Sequence, residues 1–80
     1  MKIPRDLSGT DLVKLLRHYG YETTRQAGSH IRLTTKEKGE HHITIPNHSP
    51  LKIGTLSAIL AEVAEHFGIT KDMVMRKLLG

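Results

Sequence analysis

The chain has 80 residues with no cysteine or tryptophan, and 12 Lys and Arg against 8 Asp and Glu give it a net charge of +4 with its six histidines neutral. That length suits one domain that buries about 60% of its unfolded surface, and the missing cysteines rule out disulfides, thiolate metal sites and cysteine nucleophiles. No apolar run approaches the roughly 20 residues of a membrane span, and the opening Met1-Lys2-Ile3-Pro4-Arg5-Asp6 lacks the apolar stretch of a secretion signal, so the expectation is a soluble, cytoplasmic protein whose positive charge favours nucleic acid.

The first readable element is a helix from Ser8 to about Tyr19. Ser8 is suited to the N-cap with Asp11 at N3, and Leu7 and Leu12 occupy the positions of a hydrophobic staple. Leu12, Leu15, Leu16 and Tyr19 fall at the i, i+3, i+4, i+7 spacing of one buried stripe, with Gly20 as the stop. From Tyr21 to Ile45 the period shortens to two, predicting strands at about 21–26, 30–36 and 40–46. In the second strand Ile31 and Leu33 share one face, leaving His30, Arg32 and Thr34 on the other; in the third, Ile43 and Ile45 oppose His42 and Thr44. Directly opposed residues must point to the same face. Leu33 opposite Ile43 meets that condition, with Glu37-Lys38-Gly39 as a three-residue loop and Gly39 in the left-handed position. His30 then pairs with Pro46, at the far end of the hairpin from the turn.

Pro46-Asn47-His48-Ser49-Pro50 reads as a rigid connection leaving the sheet close to His30. A second helix is expected from Thr55 as N-cap, with Leu56, Ile59, Leu60, Val63 and Phe67 as its stripe and Gly68 as its end. Thr70 caps a short third helix, Lys71 to Leu79, whose apolar residues cover too much circumference for one clean stripe. The predicted class is α+β in the order α-β-β-β-α: two helices on one face of a three-stranded antiparallel sheet, the other face open, plus a short C-terminal helix. One domain spans residues 1–80, with a core over 7–67 and an extension over 68–80.

Arg25-Gln26-Ala27-Gly28-Ser29-His30 is the stretch with the most chemistry, because a glycine and a serine hand the backbone to a histidine within a β-like segment. Glycine there permits a bulge or close backbone approach, serine offers a hydroxyl, and an imidazole ordinarily exchanges its proton near pH ~6.5. A closed metal site is not expected: His41 and His42 point to opposite faces, and His42 lies about 13 Å from His30 at the usual strand rise. A Ser-His-Asp triad is disfavoured because Ser29 and His30 point apart and no acid is placed to orient the ring. Cleavage of single-stranded RNA asks for less. The ribose 2′-OH is the nucleophile, histidine suits either proton transfer, and cations stabilise the phosphorane. His30 is the candidate catalytic residue, His48 a candidate second proton-transfer group, and Arg25, Arg32 and Lys52 candidate phosphate ligands. Periodicity alone favours reading His30 as a polar residue on a solvent-facing sheet.

Ser8-Gly9-Thr10-Asp11-Leu12-Val13-Lys14-Leu15-Leu16, Tyr19-Gly20-Tyr21, Gly28-Ser29-His30, Ile45-Pro46-Asn47-His48 and Leu51-Lys52-Ile53-Gly54-Thr55-Leu56-Ser57-Ala58-Ile59-Leu60, in this order and spacing, resemble the HicA family of toxins over roughly residues 7–67. The resemblance implies a fold similar to double-stranded RNA-binding domains. It also implies ribonuclease activity as the toxin of a bacterial or archaeal toxin–antitoxin pair, and a HicB-like antitoxin as protein partner. The family's catalytic histidine maps onto His30, with its neighbouring glycine and serine on Gly28 and Ser29. Ala27 stands where the family often carries a lysine, so phosphate attraction there would either fall to Arg25 or Arg32 or be lost, with lower activity.

Together these readings predict a small metal-independent endoribonuclease, an mRNA interferase. It would act on mRNA through His30, need no cofactor, and bind RNA through Arg25, Gly28, Ser29, Arg32 and Lys52. The alternatives are a non-catalytic RNA-binding module of the same fold, and a protein-interaction domain that docks through the third helix.

Overall fold

In the computed structural model, which describes residues 4–80, Ser8 caps α1 (Gly9–Leu15) reciprocally. Its Oγ accepts from the Asp11 N–H at 3.0 Å while the Asp11 carboxylate accepts from the Ser8 N–H at 3.2 Å. This capping box satisfies two amide donors that a helix start otherwise leaves unpaired. Met1–Ile3, part of the segment read as carrying no secretion signal, lie outside the described residues. The helix does not run as one α-helix to Tyr19. Leu16–Tyr19 tighten into a 3-10 turn that Gly20 closes in the left-handed conformation (φ 78°). The tighter winding eclipses positions i and i+3, which brings Leu16 and Tyr19 together into the core.

The sheet is antiparallel in the order β1 (Glu22–Ala27), β2 (His30–Thr35), β3 (His41–Pro46). Leu33 lies opposite Ile43 and Ile31 opposite Ile45, as the apolar alternation requires. The ladder continues to Thr35 opposite His41, so the connection runs over Lys36–Glu40 rather than three residues. Both Lys38 (φ 59°) and Gly39 (φ 99°) take positive φ there, where one such residue was expected.

A second correction concerns Gly28. It makes no bulge within a strand; Gly28 and Ser29 are the two-residue tip of the β1–β2 hairpin, with Ala27 opposite His30. Gly28 has φ 57° while Ser29 does not enter the left-handed region, the sign pattern of a type II′ turn, whose first central position favours glycine. The irregularity in β1 falls between Thr23 and Arg25 instead.

The loop after β3 is tied at three points. The Asn47 N–H donates to Ser29 O at 2.7 Å, the Gly9 N–H to His48 O at 2.9 Å, and the Leu51 N–H to Leu7 O at 2.8 Å. With Leu51 buried, the chain turns into α2 (Ile53–Phe67) three residues earlier than Thr55 as N-cap would start it. The N-cap is Lys52, in extended conformation and with no side-chain cap. Thr70 does cap α3 (Lys71–Leu79), its Oγ accepting from the Met73 N–H at 3.1 Å.

One apolar cluster joins Leu12, Leu16, Ile31, Leu33, Ile43, Ile45, Leu56, Leu60 and Val63 with Val74, Met75 and Leu78 of α3. The third helix therefore packs rather than waits for a partner, although Met73 and Leu79 remain exposed. The one buried polar side chain among the described residues, Thr35, donates to Tyr19 O at 2.8 Å and accepts from the Glu37 N–H at 3.2 Å.

His41 and His66 stack at 4.4 Å with their rings 13° from parallel, joining the start of β3 to the end of α2. Nε2 of His66 donates to Glu37 O at 2.9 Å, and the Tyr21 hydroxyl lies 2.7 Å from Nδ1 of His41. Burial, reinforced by the charge of Glu62, pushes the Tyr21 phenol up to about 12, so it keeps its proton and has one to share with the imidazole. Burial first, then the neighbouring His66 and His42, hold His41 below its ordinary pKa of 6.5, against the opposing pull of Glu62 and Glu65. Below pH 6.5 the unfolded chain accordingly binds a proton that the folded chain resists. Stability is full above that pH and declines as pH falls through it towards the folded value. Thermal melts should show a midpoint that drops as pH falls below the ordinary imidazole value of 6.5, with a shallower drop in His41→Gln; a midpoint independent of pH in both proteins would refute this.

Candidate functional site

The helices cover one face of the sheet, and the other presents Arg25 and Ala27 of β1, His30, Arg32 and Thr34 of β2, and His42 and Thr44 of β3, all exposed except the half-buried Thr34. His30 is the first residue after the Gly28-Ser29 tip, so the turn fixes the backbone on one side of it and the pairing with Pro46 fixes it on the other. Behind the pairing stands Gly9. A Cβ there would come within 2.1 Å of Pro46 O and 3.2 Å of Asn47 Cα. Glycine is what lets α1 approach the Pro46-Asn47 backbone, and that backbone in turn holds the Ser29 carbonyl.

Arg25 and Arg32 are direct cross-strand partners, two pairs along from Ala27 and His30 and so on the same face. Like charges set opposite each other on one face destabilise a strand pair. Among the described residues Glu40 pairs with His42, as an ion pair only when the imidazole is protonated, and Asp72 pairs with Arg76, so neither arginine has a carboxylate partner among them. Such a pair suits an external anion, and guanidinium groups suit phosphate. Arg32→Gln is expected to leave the melting temperature of the free protein unchanged or higher. It should also remove most of the stabilisation that millimolar inorganic phosphate confers on the wild type at constant ionic strength. Equal phosphate stabilisation of both proteins would refute the assignment.

The remaining sequence candidates are spread more widely. Ala27 sits directly across from His30, so a lysine at this position would be on the same face and adjacent. His48 is exposed in the loop, two residues beyond the partner of His30, with its carbonyl held by the Gly9 N–H. Lys52 is exposed at the N-cap of α2, and its carbonyl accepts from the Leu56 N–H at 2.9 Å. The structure thus groups Arg25, Arg32 and His30 on one face with Gly28 and Ser29 at its edge, while His48 and Lys52 belong to the adjoining loop and helix start.

Two histidine clusters escaped the sequence reading. On the open face, His42 links Glu40 to Thr34, and Thr34 links on to Thr24. The cross-strand pairing of Thr34 with His42 was legible; the extension to Glu40 and Thr24 depends on the turn and on the bulge, which apolar alternation does not report. On the other side, a cleft of about 480 Å³ is lined by His41, Glu62, Glu65 and His66. The nearly parallel rings of His41 and His66 do not converge their lone pairs on one point. Among the described residues no group of three or more His, Asp or Glu is arranged to hold a metal ion, and no helix is long and apolar enough to cross a membrane.

Residues 9–65 match the family described as HicA toxin of bacterial toxin-antitoxin. No curated protein and no solved structure matches the chain. The matched segment starts at the first residue of α1, includes the whole sheet with His30, and ends two residues before the end of α2.

Proposed function

The chain belongs to the HicA toxin family of bacterial toxin–antitoxin systems, and from that premise we propose that it is a metal-independent endoribonuclease that cleaves mRNA and is neutralised by a HicB-like antitoxin. The observation that carries this reading is the placement of an exposed histidine beside an unneutralised arginine pair on an open face. A phosphodiester on that face meets a proton acceptor and two cations together.

The chemistry needs only groups on this face and on RNA itself. His30 takes the proton of the ribose 2′-OH, the 2′-oxygen attacks phosphorus, and the bond to the 5′-oxygen breaks. The products are a 2′,3′-cyclic phosphate and a 5′-hydroxyl, whose proton comes from His48 or from solvent. Proton transfer of this kind contributes about 10²–10⁴-fold. Arg25 and Arg32 bear the charge that grows on the phosphoryl oxygens, and Lys52 and the turn residues Gly28 and Ser29 guide the strand past His30. The antitoxin acts by covering this face or restraining it, which calls for acidic or shape-matched groups opposite the arginines.

A labelled single-stranded RNA and its all-deoxy counterpart, incubated with the protein in excess chelator, test the proposal. Cleavage of the RNA alone, leaving 2′,3′-cyclic phosphate ends, is the expected outcome. Equal cleavage of both strands, or cleavage only after divalent cations are restored, would overturn it, and binding without cleavage would favour an RNA-binding module.

A further inference from the structure

At the end of the open face away from His30 lies a polar chain that the proposed chemistry does not use. Nε2 of His42 donates to the Glu40 carboxylate at 3.0 Å, since a carboxylate can only accept. In the neutral imidazole this leaves Nδ1 to accept the Thr34 hydroxyl at 2.7 Å, and Thr34 stands 3.0 Å from the Thr24 hydroxyl. The chain crosses all three strands. Its members are exposed or half-buried, so water competes for each bond and the stabilisation is small. What the chain does fix is the direction in which donors and acceptors point.

Beside it opens a groove of about 640 Å³ lined by Gly20, Glu22, Thr24, Thr34, Lys36 and Glu37. Two carboxylates in that lining repel a phosphate. Two hydroxyls, an ammonium and the carboxylates offer hydrogen bonds of both senses, which suits a neutral planar group with donors and acceptors on its edge. A nucleobase is such a group.

The register gives the spacing. Thr34 stands four residues from His30 on β2, about 13 Å at the usual strand rise, and Arg32 with its partner Arg25 lies midway. A strand that places one phosphate at His30 and the next at the arginine pair brings the following nucleotide to the groove. Tyrosine and phenylalanine, on which a sheet commonly stacks unpaired bases, are not offered here: Tyr19 and Tyr21 are buried, and Phe67 packs against the core. The groove lining instead offers hydrogen bonds to base edges.

We infer that Thr24, Thr34, His42 and Glu40, with the adjoining groove, form a base-reading subsite that sets nucleotide preference two positions from the bond next to His30. The inference rests on the proposed RNA chemistry, but its test reads binding and needs no cleavage. The His30→Ala protein is titrated with four hexaribonucleotides, each of a single base, and followed by NMR. One base should bind about tenfold more tightly than the weakest and shift the His42 imidazole and Thr34 amide signals. Thr34→Val or His42→Ala, introduced into the same background, should level the four affinities while the shifts at Arg25 and Arg32 persist.

Equal affinities before substitution, a preference that survives both substitutions, unmoved His42 signals, or no RNA binding at all would each overturn the subsite. Equal affinities, a surviving preference or unmoved His42 signals leave RNA cleavage by the wild type untouched, whereas absence of RNA binding counts against both readings. Failure of cleavage leaves a measured base preference standing.

Discussion

A chain ending at Gly68, without α3, is expected to be unfolded at room temperature. Val74, Met75 and Leu78 are 0%, 4% and 5% exposed and belong to the same buried cluster as the sheet and α2, and burying each contributes about 1.5–3 kcal/mol. An 80-residue domain has only about 4–12 kcal/mol of net stability. Ending the chain there removes those contacts and leaves their counterparts on α2 and the 3-10 turn in water. The ordering entropy of nine helical residues offsets part of the loss, but not the apolar surface newly exposed on the residues that stay. Lys77, whose ammonium lies 4.5 Å from the centre of the Tyr19 ring, adds a smaller contact. Dispersed amide NMR signals from the shortened chain would contradict the expectation. Leu78→Ala is the graded version, costing about 3 kcal/mol in a denaturant melt while the fold persists. The extension beyond the matched segment is therefore structural in effect, whatever else Met73 and Leu79 do on its surface.

What could be read from the sequence follows from where apolar residues alternate. Leu33 opposite Ile43 was legible because β2 and β3 each bury one face, and a one-residue slip between them would turn either Ile31 and Leu33 or Ile43 and Ile45 out to solvent. The start of α1 was legible because Ser8 and Asp11 cap by local side-chain chemistry. β1 carries no such signal. All six of its residues are exposed, so neither the bulge around Thr24 nor the exact ends of the strand had a burial pattern to reveal them. Gly28-Ser29 was ambiguous for a related reason, since positive φ serves a bulge and a type II′ turn alike, and only the pairing of Ala27 with His30 decides between them. The start of α2 was misplaced because no side chain caps it; the buried Leu51 and its bond to Leu7 set it instead.

The candidate site divides along the same line. His30 was singled out by its local sequence and by family resemblance, and the opposition of Arg25 to Arg32 needed the β1–β2 register. The Glu40–His42–Thr34–Thr24 chain and the His41–His66 stack are tertiary features, assembled from residues whose neighbours in sequence say nothing of each other.

His30→Ala is expected to lower the rate of RNA cleavage by about 10²–10⁴-fold. His30 is exposed and its side chain belongs to no part of the core, so the substitution should move stability by no more than about 0.5 kcal/mol. RNA binding should persist, since the arginine pair that attracts phosphate is intact. This combination separates a proton-transfer role from a packing or binding role, either of which would change folding or affinity instead. The decisive measurement is single-turnover cleavage of a labelled single-stranded RNA in excess chelator by wild type and His30→Ala, side by side, with affinity for the same RNA measured on both. The account predicts cleavage by the wild type, its near-complete loss in the variant, and similar affinities; equal cleavage by both proteins, or equal binding with cleavage by neither, would contradict it.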